Sequence, residues 1–114
     1  MHHLVRLSSH PDASSPDFGT WLDEYSMVPF RPVTLSLSVL PIPDFTEYPV
    51  SRPEWAIVRR LSKRYGTGQP VHPILVYHAQ SGWRVLDGCH RILAARRAGL
   101  SAIEAWEAQG EPVR

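Results

Sequence analysis

A chain of 114 residues, 43% hydrophobic and 20% charged, has the length and composition of one ordinary globular domain with a modest core. Its net charge of +1 supplies no overall electrostatic pull toward nucleic acid or an anionic membrane. No apolar run approaches the roughly 18 residues of a bilayer span, and Met1–Arg6 lacks the apolar stretch of a secretory signal, so a cytoplasmic protein without membrane contact is expected.

Residues 1–16 are rich in turn formers and predict a flexible N-terminal arm or a surface-hugging extension. The domain proper is expected over 17–107, with 108–114 a polar tail. Phe18, Trp21, Leu22 and Tyr25 recur at helical spacing and predict a short amphipathic helix within 17–27. Val33 to Val39 alternates apolar and hydroxyl side chains, the period of a half-buried strand, and Pro41 and Pro43 close it. A proline-punctuated loop with Asp44, Glu47 and Arg52 follows.

Ser51 and Glu54 form a capping-box pattern with Pro53 in the first turn. The spacing of Trp55, Val58, Leu61 and Tyr65 carries the helix on, and Gly66 is its expected stop. Arg59, Arg60, Lys63 and Arg64, with Arg96 and Arg97 further on, read as a solvated face in preference to a nucleic-acid surface. Pro73–Tyr77 predicts a strand, and the turn Gln80-Ser81-Gly82 leads to its hairpin partner Trp83–Leu86. A helix then opens at once, with Ile92, Leu93 and Ala95 facing the core and Gly99 ending it. Ser101–Trp106 is the last strand. Trp21, Trp55, Trp83 and Trp106 are expected to pack in the core. The fold class is therefore α+β, a small single domain with a mixed sheet of short strands.

The chemistry concentrates in Asp87-Gly88-Cys89-His90-Arg91. A strand ends there, a glycine turns the backbone, and the first turn of a helix follows. Unpaired N–H groups and the helix dipole make such a turn an anion site, with phosphate its usual occupant. His90 and Arg91 add side-chain donors. The same field favours the thiolate of Cys89, the only cysteine of the chain, which excludes a disulfide framework and an all-cysteine zinc site. The six histidines show no metal-site spacing. The purely structural reading stands beside this: Asp87 as N-cap, Gly88 as a turn residue, Cys89 as a small buried side chain.

Leu86 to Gly99, LDGCHRILAARRAG, resembles the signature of the ParB/sulfiredoxin superfamily, in which a Gly-x-x-Arg motif opens a helix whose backbone cradles nucleotide phosphates. The order of elements over roughly residues 33–107 is similar as well. Gly88 to Arg91 match the Gly-Cys-His-Arg of sulfiredoxins, whose cysteine works on a peroxiredoxin sulfinic acid with ATP. The arginine that sulfiredoxins carry after the first strand is absent from Leu40-Pro41-Ile42-Pro43, and Asp87 stands where they place a small residue. Free serine kinases carry a motif similar to Leu-Asp-Gly-His-His-Arg, in which Cys89 would replace the first histidine. Glu47 is the positional candidate for their catalytic glutamate. Partition ParB proteins and their nuclease-like relatives more often carry Gly-Glu-Arg-Arg, which this chain lacks, and read DNA through a following helix-turn-helix module, which is not expected in a chain ending at Arg114.

The resemblance implies ATP or ADP at Gly88, Cys89, His90 and Arg91, with magnesium at Asp87. It further implies phosphoryl transfer to a small-molecule or protein acceptor, with Glu47 as base and Asp87 and Cys89 the other candidate catalytic residues. A sulfiredoxin-like, cysteine-dependent reductase and a nucleotide-gated or DNA-associated module or nuclease are the alternatives; nucleic acid is not favoured as a partner.

Overall fold

The computed structural model describes residues 4–11, 25, 27–41 and 51–110. Among them five strands form one sheet: β1 (Val5–Arg6), β2 (Pro29–Ser36), β3 (Ile74–Ala79), β4 (Gly82–Asp87) and β5 (Ala102–Ala108), in the order β1-β2-β5-β3-β4. β3 and β5 run parallel and the other pairs antiparallel, so the sheet is mixed. Two α-helices complete the described fold, α1 (Arg52–Gly66) and α2 (Cys89–Arg97). The class is α+β, as the residue patterns predict.

Alternation along the strands sorts the core into two faces. Ile74 and Val76 of β3 pack with Ile103 and Ala105 of β5 beneath Ile92 and Ala95 of α2. Leu75 points the other way, into a cluster with Leu7, Phe30 and Ala108. α1 rests on α2 through Val58, Leu93 and Ala94, all fully buried. Each large side chain so buried contributes about 1.5–3 kcal/mol relative to leaving it in water. The layering places the first turn of α2 between α1 and the sheet.

Both helix starts and stops follow from local chemistry. Ser51 caps α1, its Oγ accepting from the Glu54 amide at 3.3 Å and donating to Glu54 Oε1 at 3.0 Å. The capping box is formed. Gly66 is the last helical residue, and the turn falls two residues later: Gly68 has φ +71°. Gln69 and Gly68 donate to the carbonyls of Arg64 and Tyr65, a Schellman motif that needs its left-handed residue at Gly68. α2 ends the same way, with Gly99 at φ +79° and Leu100 donating to the Ala95 carbonyl.

Three segments differ from the pattern-based expectation. The β2 strand starts at Pro29 and ends at Ser36, where 33–39 was expected. Pro29 is admissible as the first residue of the strand, and Pro32 because β1 pairs only Pro29 and Phe30, so that among the described residues nothing pairs that edge of β2 from Arg31 onward. At its far end Ser36 Oγ accepts from the Ser38 amide and turns Leu37–Val39 into a 310 helix. β5 likewise begins one residue later and runs on to Ala108.

Residues 4–11 are not a free arm: they hold β1 and a 310 turn (Leu7–Ser9), and Leu7 and His10 are buried. The physical reason is that Leu7 closes the open face of the sheet, which α2 does not reach. Of the helix expected within 17–27, only Tyr25 and Met27 are among the described residues.

Candidate functional site at the start of α2

β4 pairs with β3 as a hairpin, Ala79 opposite Gly82, with the register shifting between Leu75 and Val76. The shift brings Asp87, the last residue of β4, opposite Leu75. Gly88 then turns the chain with φ +122° and is the N-cap residue of α2. The N-cap is thus Gly88 and not Asp87, and no side chain caps the helix. A β-carbon on Gly88 would stand 2.4 Å from Ile74 Cγ2 and 2.7 Å from Ile74 Cβ. Left-handed backbone and close approach together demand glycine here.

The first intrahelical bond runs from the Ile92 amide to the Gly88 carbonyl, 3.0 Å. The amides of Cys89 and His90 therefore lie ahead of the hydrogen-bonded ladder of α2, where backbone N–H groups have no carbonyl four residues back within the helix. Both residues line a cleft of about 480 Å3, together with Asp87, Gly88 and Arg91, with Ile57, Leu61 and Arg64 of α1, and with Pro70 to His72. One wall is apolar, the floor polar. Cys89 is half-buried at this floor.

Arg91 is anchored rather than loose. Its Nη1 donates to the carbonyls of His72 (3.1 Å) and Pro73 (2.8 Å), and its Nη2 pairs with Asp87 Oδ2 at 3.2 Å. The guanidinium thus stitches the β4–α2 turn to the segment entering β3, while its edge still lines the cleft. Asp87 orients Arg91 from one turn back, an i,i+4 pair across the helix start.

The third side of the site is a contact that residue patterns gave no sign of. Glu54 Oε2 lies 3.1 Å from His90 Nε2, while Glu54 Oε1 accepts from Ser51. The hydrogen bond from His90, and then those from Ser51, hold the Glu54 carboxyl below its ordinary value of 4.5. Deeper in, burial pushes the Tyr65 phenol up to about 12, with the nearby Arg91 charge opposing. Arg64, expected on a solvated face, donates through Nη2 to the Pro70 carbonyl at 2.8 Å and fixes the loop that forms the cleft rim. Arg96 reaches the Leu37 carbonyl at 2.8 Å, and Arg97 lies 4.8 Å over the Trp55 ring.

The structure therefore brings together Asp87, Gly88, Cys89, His90 and Arg91 on one cleft. Glu47 lies outside the described residues. Among those described there is no group of three or more His, Cys, Asp or Glu side chains able to hold a metal ion. Asp87 offers a single carboxylate, one oxygen of which faces Arg91. That fits a magnesium ion arriving with a nucleotide, whose phosphates and waters supply most of its ligands, better than one held by the protein alone.

This architecture is a ParB/sulfiredoxin-like fold. Among solved structures the chain is similar to a sulfiredoxin from Arabidopsis thaliana, with 25% identity and a TM-score of 0.52, covering 69% of this chain and 85% of that one. It is also similar to a Pnob8-like ParB-N domain, with 13% identity and a TM-score of 0.52, covering 74% of this chain and 32% of that one. No family model and no curated protein matches the sequence. No described helix is long and apolar enough to cross a membrane.

Proposed function

We propose that the protein binds the phosphates of ATP or ADP at the first turn of α2 and transfers a phosphoryl group to a small-molecule or protein acceptor. The observation that carries this reading is the cleft at the start of α2, lined by Gly88, where Ile74 leaves no room for a side chain, together with Cys89, His90 and Arg91. Amides at a helix start bind phosphate without desolvating a side-chain cation. Fixed donors of this kind also act on the charge that spreads over the transferred group.

In this reading the acceptor hydroxyl oxygen attacks phosphorus, the bond to the departing nucleotide breaks, and Glu47 takes the hydroxyl proton. Magnesium, brought by the nucleotide and met by Asp87, would supply charge neutralisation on the phosphates. Arg91 acts from its anchored position, through the edge of the guanidinium that lines the cleft.

A second reading is favoured by Cys89 itself. It is the only cysteine of the chain, it lines the cleft at the first helical position, and its tetrapeptide matches the sulfiredoxin motif. In that use the thiolate would be the nucleophile. The first experiment is calorimetry of the protein against ATP, ADP and CTP with magnesium. Binding of an adenine nucleotide that weakens at least tenfold in Arg91→Ala supports the phosphate site, and no binding of any nucleotide sinks it. Turnover that survives Cys89→Ser and fails in Glu47→Gln assigns phosphoryl transfer; the reverse pattern assigns the cysteine-dependent reaction.

A further inference from the structure

His90 is read above only as a phosphate donor, and its ring has two nitrogens with different surroundings. Nε2 is taken: it lies 3.1 Å from Glu54 Oε2. A carboxylate accepts only, so Nε2 carries the hydrogen whenever Glu54 is ionised. Glu54 is in turn held by the Ser51 hydroxyl at 3.0 Å, and its carboxyl is kept below the ordinary carboxylate range, so it stays charged near neutral pH. The chain Ser51, Glu54, His90 runs from the cap of one helix to the second residue of the other. His90 lines the cleft, and among the described residues only its Nε2 has a hydrogen-bond partner, so Nδ1 is the ring nitrogen assigned to a ligand.

A carboxylate on one imidazole nitrogen has a definite consequence for the other. In the neutral ring Nδ1 holds a lone pair and repels an anionic oxygen. Adding a proton turns it into a donor, and the resulting imidazolium lies between two anions, Glu54 and the ligand. We propose that Glu54 is a positioning residue that fixes His90 as the Nε2–H tautomer, and that a phosphate ligand enters this cleft together with a proton that settles on His90 Nδ1. This rests on the phosphate-site reading and deepens it: the ligand class is a phosphate dianion, taken up with one proton.

The sign follows from linkage. A ring whose proton affinity is raised by the bound anion favours that anion at more acidic pH, and affinity falls as pH rises, by up to tenfold per pH unit. The other charged and titratable groups lining the cleft are Arg64 of α1, His72 of the loop, and Asp87, Cys89 and Arg91 at the turn. His72 is the other imidazole lining the cleft, so it is the control.

The test has two parts, of which the first needs no ligand. Long-range 1H–15N correlation spectra of the free protein at pH 8 should show His90 predominantly Nε2-protonated, and in Glu54→Gln the preference should weaken toward a mixture. Equal tautomer populations in the two proteins, or an Nδ1–H majority in the parent, overturn the positioning role of Glu54. The second part is calorimetry of the full chain with ADP and, separately, inorganic pyrophosphate at pH 7.5 in buffers of different ionisation enthalpy. Uptake of between half and one proton is expected in the parent and in His72→Gln, and less than half of the parent's uptake in His90→Asn and Glu54→Gln. Binding without proton uptake, or uptake lost in His72→Gln alone, overturns the proton linkage. Failure of both probes to bind overturns the phosphate-site reading and the linkage with it, while the spectra still decide the role of Glu54.

Discussion

His10 and Arg91 donate to the same oxygen atom. The His10 Nε2 lies 2.8 Å from the Pro73 carbonyl, and Arg91 Nη1 reaches the same oxygen at 2.8 Å. One residue belongs to the N-terminal segment and is 3% exposed; the other belongs to the first turn of α2. The last residue before β3 is thereby held from both flanks, and the cleft wall that follows from it is built by parts of the chain 81 positions apart, from 10 to 91.

Removal of His10 should therefore be felt at the site. His10→Ala empties a buried place against Trp106, whose ring lies 4.8 Å away, and deletes one donor to a part-buried carbonyl. A loss of about 2–4 kcal/mol is expected from the cavity and the hydrogen bond together. Urea unfolding measures it, and faster amide exchange at Val71 and His72 would show that the loosening reaches the cleft.

Gly88→Ala meets two obstacles at once. The positive φ costs an L-residue about 1–2 kcal/mol, and the added carbon would overlap the Ile74 side chain at 2.4 Å. A loss of more than about 3 kcal/mol is expected from backbone strain plus overpacking. If chemical denaturation finds the variant within 1 kcal/mol of the parent (roughly the scale of an ordinary surface change), the turn is not as described.

Stability should fall on acidification through Glu54. Its folded pKa is depressed, so its contribution is present above the unfolded value of 4.5 and is lost as pH falls through the lower folded value. Ser51→Ala removes both the cap and one of the two partners of that carboxylate. It should cost about 1 kcal/mol at neutral pH and flatten the acid limb of a plot of stability against pH.

Tyr65 predicts the opposite limb. Its folded pKa is raised to about 12 from 10.0, so the stability it carries is complete below pH 10 and declines as pH rises toward 12. Tyr65→Phe should abolish that decline while leaving the neutral-pH spectrum of the protein unchanged. Urea midpoints at pH 8, 10 and 11 read it out.

What the residue patterns disclosed and what they hid divides along a physical line. The turn at Gly88, the Ser51 cap and the Gly99 stop were legible because each depends on conformational limits acting over a few residues. α1 ends at Gly66 as expected, but its left-handed residue is Gly68, and only the carbonyl partners of Gly68 and Gln69 tell the two glycines apart. Strand β2 was shifted because Pro32 is tolerated by the shortness of β1, a tertiary circumstance. The Glu54–His90 contact and the burial of His10 were invisible for the same reason. Periodicity assigns Glu54 to a cap and His90 to a helix start, and nothing local says that the two starts face each other.

The strand order has a consequence for how the chain reaches this state. β3, β4 and α2 are consecutive, and α1, one loop before β3, docks on α2 across that single hairpin. By contrast, the β2–β5 ladder joins Ser36 to Ala102 and Phe30 to Ala108, closing a long loop before any pairing is gained. Closure entropy therefore orders the events. The segment bearing the β4–α2 turn is expected to assemble as a nucleus, and the N-terminal strands to arrive last, carrying His10 to its carbonyl. A nascent chain would thus build its cleft before it locks the back wall of that cleft.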